Sequence, residues 1–125
     1  VNIGLFCSTP MVALSRNVSN KHSMEMLLTG DLISSSKAAE IGLINKMISD
    51  NNLQNFVLER ALKISKKSAM TLKIGKEAFY KQIDMTLSEA YDYASNVMVE
   101  NMLKLDAEEG IDAFINKRTP HWQDK

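Results

Sequence analysis

The sequence is poor in the residues that staple, kink or anchor a chain. It holds one cysteine, Cys7, among 125 residues. A single thiol cannot close an internal disulfide, which fits a reducing compartment or a fold that needs no staples. Its two prolines, Pro10 and Pro120, lie near the two ends, and the stretch between them carries helical periodicity. An excess of either charge is also lacking: 15 basic and 15 acidic residues give a formal net charge of zero. That balance argues against a dedicated nucleic-acid binder. No run approaches about 18 apolar residues, so no transmembrane helix is expected. Internal repeats and low-complexity tracts are missing too. What remains is 45% hydrophobic and 24% charged, ordinary for a globular chain with one modest core. The opening Val1-Asn2-Ile3-Gly4-Leu5-Phe6 has no initiator Met and no charged region ahead of an apolar stretch. It is unlike a signal peptide and reads as the interior of a longer protein.

The periodicity predicts a mainly α-helical chain. Residues 1–9 suggest a short strand running into a loop. Residues 10–28 suggest helix, with a break near Asn17–Asn20, and Gly30 offers a left-handed stop. The serines at 34–36 suit an N-cap before Lys37-Ala38-Ala39-Glu40, and Gly42 ends that short helix in the same way. Leu43 to Ile48 alternates partly and predicts a second short strand. From about Asn52, Leu53, Phe56, Val57, Ala61 and Ile64 form one apolar stripe. Ser68 can cap a helix running to about Tyr80. Thr86-Leu87-Ser88-Glu89 has the form of a capping box. Behind it Leu87, Ala90, Tyr91, Ala94, Val97, Met98, Met102 and Leu105 make a long apolar face. Asp106-Ala107-Glu108-Glu109 repeats the capping-box form before a last helix through Phe114 and Ile115. The tail from Thr119 to Lys125 looks irregular. Two short strands cannot make a stable sheet by themselves, so they are expected to complete a larger one.

Chemistry is sparse. His22 and His121 are far apart with no cysteine beside either, whereas a metal site needs several ligands at close spacing. Cys7 reads as a small buried residue beside the first strand rather than a nucleophile. The carboxylates Asp106, Glu108 and Glu109 read as a helix start, where they favour the exposed amides and the dipole. Lys63, Lys66, Lys67, Lys73, Lys76 and Lys81 make a lysine-rich middle: a solvated face, or a draw for an anionic ligand. The eight methionines suit irregular core or interface gaps.

One continuous stretch carries a resemblance. Ser23-Met24-Glu25-Met26-Leu27-Leu28-Thr29-Gly30, followed by Lys37-Ala38-Ala39-Glu40-Ile41-Gly42-Leu43-Ile44, closely resembles the enoyl-CoA hydratase/isomerase (crotonase) family. There a helix ending in Thr-Gly leads to an Ala-rich short helix, then Gly-Leu. Glu109-Gly110-Ile111-Asp112-Ala113-Phe114-Ile115-Asn116-Lys117-Arg118 resembles the typical ending of the same family. The opening through Pro10 is closest to its enoyl-CoA hydratase domain-containing branch.

The resemblance implies the carboxy-terminal part of an α/β crotonase (ClpP-like) fold. Residues 1–50 would end the crotonase core, and 51–125 would form a helical region for oligomerisation and CoA contact. It implies an acyl-CoA thioester as substrate or partner, no other cofactor and no metal, and a homotrimer or hexamer. A bacterial cytoplasm or a mitochondrial matrix would be the compartment. The family's oxyanion hole and its two glutamates precede the point where this sequence begins, so no catalytic residue is expected here. The family's terminal lysine contacts CoA and matches Lys117, beside Arg118. The position that offers an aromatic to the adenine of CoA matches Met98, a departure that weakens stacking. Met11 stands where many relatives carry glycine near the reaction site. It keeps open a non-catalytic module for acyl-CoA binding or assembly.

Overall fold

Hydroxyl side chains start three of the helices by taking up amides that the first turn leaves unpaired. Ser34 accepts from the Lys37 amide, and Ser68 from that of Thr71. Thr86 accepts from Glu89 while Glu89 Oε2 accepts from the Thr86 amide at 3.0 Å, a complete capping box. The computed structural model describes residues 1–125. It contains seven helices: α1 (Pro10–Asn17), α2 (Asn20–Thr29), α3 (Ser35–Glu40), α4 (Asp50–Ser65), α5 (Ala69–Gln82), α6 (Leu87–Met102) and α7 (Leu105–Ile115). The break expected near Asn17–Asn20 falls at Val18 and Ser19.

The chain divides into two compact units, Val1–Gln54 and Asn55–Lys125. In the first, α1 packs on α2. Val18, Ala38 and Ser23 are its buried residues, and Ser23 Oγ donates to the Val18 carbonyl. Gly30 ends α2 with φ +66°. A Cβ there would stand 2.8 Å from Asn2 Oδ1. Gly42, at φ +81°, ends α3: its amide donates to Ala39 and the Leu43 amide to Ala38, the paired bonds of a Schellman turn.

Neither predicted strand forms, because the amides they would need are spent locally. Leu43 and Ile44 both donate to the Ala38 carbonyl. Gly4 donates to Val1 and Ser8 to Phe6. A strand also needs a neighbour to complete its ladder, and this chain supplies only helices and turns. Cys7, expected to be buried beside the first strand, is exposed.

In the second unit α5 and α6 form an antiparallel pair, and α6 also meets α7. The apolar face of α6 is wider than α5 covers. Ala90, Tyr93, Val97 and Asn101 follow one stripe and are half-buried. Leu87, Tyr91, Met98 and Met102 follow the next stripe and stay exposed, Leu87 at 76%. Lys81 Nζ lies 4.7 Å from the centre of the Tyr93 ring, a cation–π contact across the pair. The long face predicted through Leu105 is interrupted: α6 ends at Met102 and Leu105 opens α7.

The Thr86 box can be tested directly. Thr86→Ala should destabilise the second unit by about 1 kcal/mol, read as a lower denaturant midpoint with unchanged slope. Thr86→Ser should keep wild-type stability. An alanine variant as stable as wild type would show that the box does not support α6.

Candidate functional site

The second capping-box pattern does not cap. The N-cap of α7 is Lys104, with no side-chain bond. Asp106 sits in the first turn, two residues after that N-cap, and is only 2% exposed. A buried carboxylate must be met by donors. The Gln123 amide donates to Oδ1 at 2.7 Å and the Asp124 amide to Oδ2 at 3.0 Å. Hydrogen bonding from Ser68, followed by those two amides, holds the Asp106 pKa below its ordinary value. The irregular tail is therefore pinned to α7. Asp124 extends the clasp to α5: its Oδ1 accepts from the Ala69 amide at 2.7 Å and from Met70 at 3.2 Å.

Trp122 lies between these anchors. Its Nε1 donates to the Lys66 carbonyl at 2.8 Å. A Cβ on Gly110 would come within 3.3 Å of its ring, a tight approach that favours glycine at this position inside α7. Ala113, on the same helix, is 1% exposed. Trp122 borders a groove of about 620 Å³ with Leu72, Met102, Ile111 and Phe114. Asn101 Oδ1 also lines it and is buried without a partner.

Below the clasp, α7 ends in a second Schellman turn. The Lys117 amide donates to Phe114 and the Arg118 amide to Ala113. The left-handed position is Lys117, at φ +52°, where glycine is usual. Arg118 follows with a two-pronged ion pair to Glu109, 2.6 Å to Oε1 and 2.7 Å to Oε2. It also donates to Asp112 Oδ2. The His121 amide reaches Glu109 Oε1 at 2.7 Å. Arg118 first, then His121, lower the Glu109 pKa from 4.5 to about 2.

Of the residues singled out from the sequence, Lys117 and Arg118 occupy this turn. Lys117 is exposed, and the guanidinium of Arg118 is engaged by two carboxylates. Met98 lies on α6, one turn before its end, and is 61% exposed. Asp106, Glu109, Trp122 and Asp124 were not predicted as a unit. The one sequence signal was Gly110 within a helical pattern, which marks a close neighbour without naming it. No group of carboxylate, histidine or cysteine side chains is placed to hold a metal. In the first unit, His22, Glu25, Asp31 and Lys37 border a small cavity of about 120 Å³. His22 Nδ1 is 3.9 Å from Glu25.

The depressed carboxylates make the clasp sensitive to acid. Glu109 takes its proton near pH 2 when docked but near pH 4.5 when free. Docking is therefore favoured above that window and loses the contribution as the pH falls through it. Trp122 is the sole tryptophan and reports the event. Its emission should move to longer wavelength between about pH 4.5 and pH 2. Asp106→Ala should give the long-wavelength emission already at pH 7. Emission that ignores both acid and the substitution would exclude the carboxylates as the lock.

Comparison with known proteins matches the whole chain. The profile of the enoyl-CoA hydratase/isomerase family covers residues 1–125. The mitochondrial enoyl-CoA hydratase domain-containing protein 3 of Rattus norvegicus is 48% identical over 122 residues, 98% of this chain and 41% of the relative. The crystal structure of human enoyl Coenzyme A hydratase domain-containing protein 3 superposes with a TM-score of 0.93 at 45% identity, covering 97% of this chain and 48% of that one. An enoyl-CoA hydratase of Mycobacterium smegmatis gives 0.93 at 42% identity, covering 97% and 47%. The chain thus spans about two fifths of the curated relative and about half of the solved structures. A helical chain with glycine-terminated α2 and α3 and the Glu-Gly to Lys-Arg ending, matched along its full length, belongs to the enoyl-CoA hydratase/isomerase family and has the crotonase fold.

Proposed function

We propose that this chain supplies acyl-CoA contacts and a subunit-association surface to an enoyl-CoA hydratase/isomerase family protein. The observation that carries the reading is the uncovered stripe of α6. Leu87, Tyr91, Met98 and Met102 repeat along one line and find no cover from α5. Each such side chain gains about 1.5–3 kcal/mol when buried, so the stripe favours association with protein or ligand. Assembly as a trimer or hexamer is the form the family resemblance supports.

For the ligand, Lys117 offers an exposed cation at the end of α7, suited to a CoA phosphate. Arg118 stands beside it with its charge already shared. Met98 takes the position where relatives offer an aromatic to adenine, and a thioether can pack on a ring edge. The mitochondrial names of the domain-containing relatives favour a mitochondrial placement over a cytoplasmic one. A second reading, a family member without hydratase chemistry, is favoured by Met11, which places a bulky exposed side chain at the start of α1.

Calorimetric titration with coenzyme A tests the ligand contacts. Lys117→Ala should weaken binding about tenfold, the scale of one contact to a charged group. Met98→Phe should tighten it severalfold, the scale of an added ring stack of about 1 kcal/mol. Unchanged affinity in both variants would remove the ligand reading. Sedimentation at two concentrations tests association, and Met98→Glu should shift the distribution toward monomer. Crotonyl-CoA hydration by this chain is expected to be nil, and measurable turnover would place catalytic groups within it.

A further inference from the structure

We propose that Glu109 and Asp112 act through Arg118 as positioning residues for the Lys117 ammonium, so that the clasp prepares the cation for its ligand. The inference rests on the reading of Lys117 as the CoA-contacting cation.

The two Schellman turns provide the comparison. The turn that ends α3 places Gly42 in the left-handed position, at φ +81°. The same pair of bonds at the end of α7 places Lys117 there, at φ +52°. A residue with a Cβ is disfavoured in that region. It persists only where its surroundings over-determine it, and such positions gather at functional sites. Here the surroundings are visible. The Lys117 and Arg118 amides are fixed to Phe114 and Ala113. The Arg118 guanidinium is held by Glu109 and Asp112 on the helix just left. Three residues later the His121 amide returns to Glu109. Glu109 thus ties down both Arg118 and the start of the tail, with the left-handed residue immediately ahead of them.

Charge completes the case. Two carboxylates face one guanidinium, so Arg118 has no positive charge to spare for an anion. Lys117 is the exposed cation left at this turn. Its backbone is locked while its side chain is in solvent. Such preorganisation removes part of the ordering that a flexible lysine would undergo on binding a phosphate. The sequence pair Lys-Arg therefore divides its work: the lysine meets the ligand and the arginine holds the lysine's backbone.

The test combines coenzyme A titration with melting of the same samples. Lys117→Gly should melt higher than Lys117→Ala, because glycine accepts the turn, while both bind coenzyme A about tenfold more weakly than wild type. Glu109→Gln should also weaken binding, and it should add nothing further in the Lys117→Ala background. Where Trp122 emission shows that Glu109→Gln has released the tail, Asp112→Asn replaces it, and the same lack of additivity is required. A glutamate or aspartate variant that melts lower yet binds as wild type, or one that still weakens binding after Lys117→Ala, overturns the positioning role. If Lys117→Ala itself leaves affinity unchanged, Lys117 is not the ligand's cation and the positioning role fails, while Met98→Phe still tests the wider ligand reading.

Discussion

The second unit depends on the buried carboxylate of Asp106. A charge removed from water must be met by hydrogen-bond donors, or it destabilises the structure that encloses it. Here the donors are Ser68 at the head of α5 and the amides of Gln123 and Asp124 in the tail. A tail without regular structure is thereby given one place. Once Asp124 is placed, its own carboxylate takes up the Ala69 and Met70 amides. Once Trp122 is placed, its ring leaves little room for a Cβ at Gly110. The start of α5, the face of α7 and the last residues of the chain are joined through one acid.

The outer lock is of a different kind. Glu109, Asp112 and Arg118 are partly exposed, and their pairing is worth less to stability than its geometry suggests. Its effect is directional. It fixes the backbone next to a lysine that occupies a position glycine would take more easily. In the cavity beside His22 in the first unit, His22 pairs with Glu25 and Lys37 with Glu40, each three residues apart on one helix.

Much of the helical layout could be read from local chemistry. Ser34, Ser68 and Thr86 bind amides within three residues, so their role follows from sequence distance alone. Gly30 and Gly42 end helices because their missing Cβ permits a positive φ, again a local property. The same local grammar misled at Asp106, where the pattern of a capping box concealed a carboxylate used by residues 17 and 18 positions away. It misled at residues 43–48 as well. Alternation there suggested a strand, but the Schellman turn at Gly42 takes the Leu43 and Ile44 amides, and no neighbouring strand competes for them. The lysine in the second Schellman turn left no trace in the sequence, because only a glycine would have announced it.

The sequence by itself determined the starts of α3, α5 and α6, the ends of α2 and α3, which stripes are apolar, and the family to which the chain belongs, because each depends on neighbours within a few residues or on a motif read in order. Tertiary structure alone decided that the tail is clasped, that Arg118 is engaged by Glu109 and Asp112, and which stripe of α6 is left uncovered. Those outcomes depend on donors and surfaces brought together from 6 to 56 positions apart. No periodicity encodes such meetings. They follow from a buried charge finding its donors and from one helix covering only part of another.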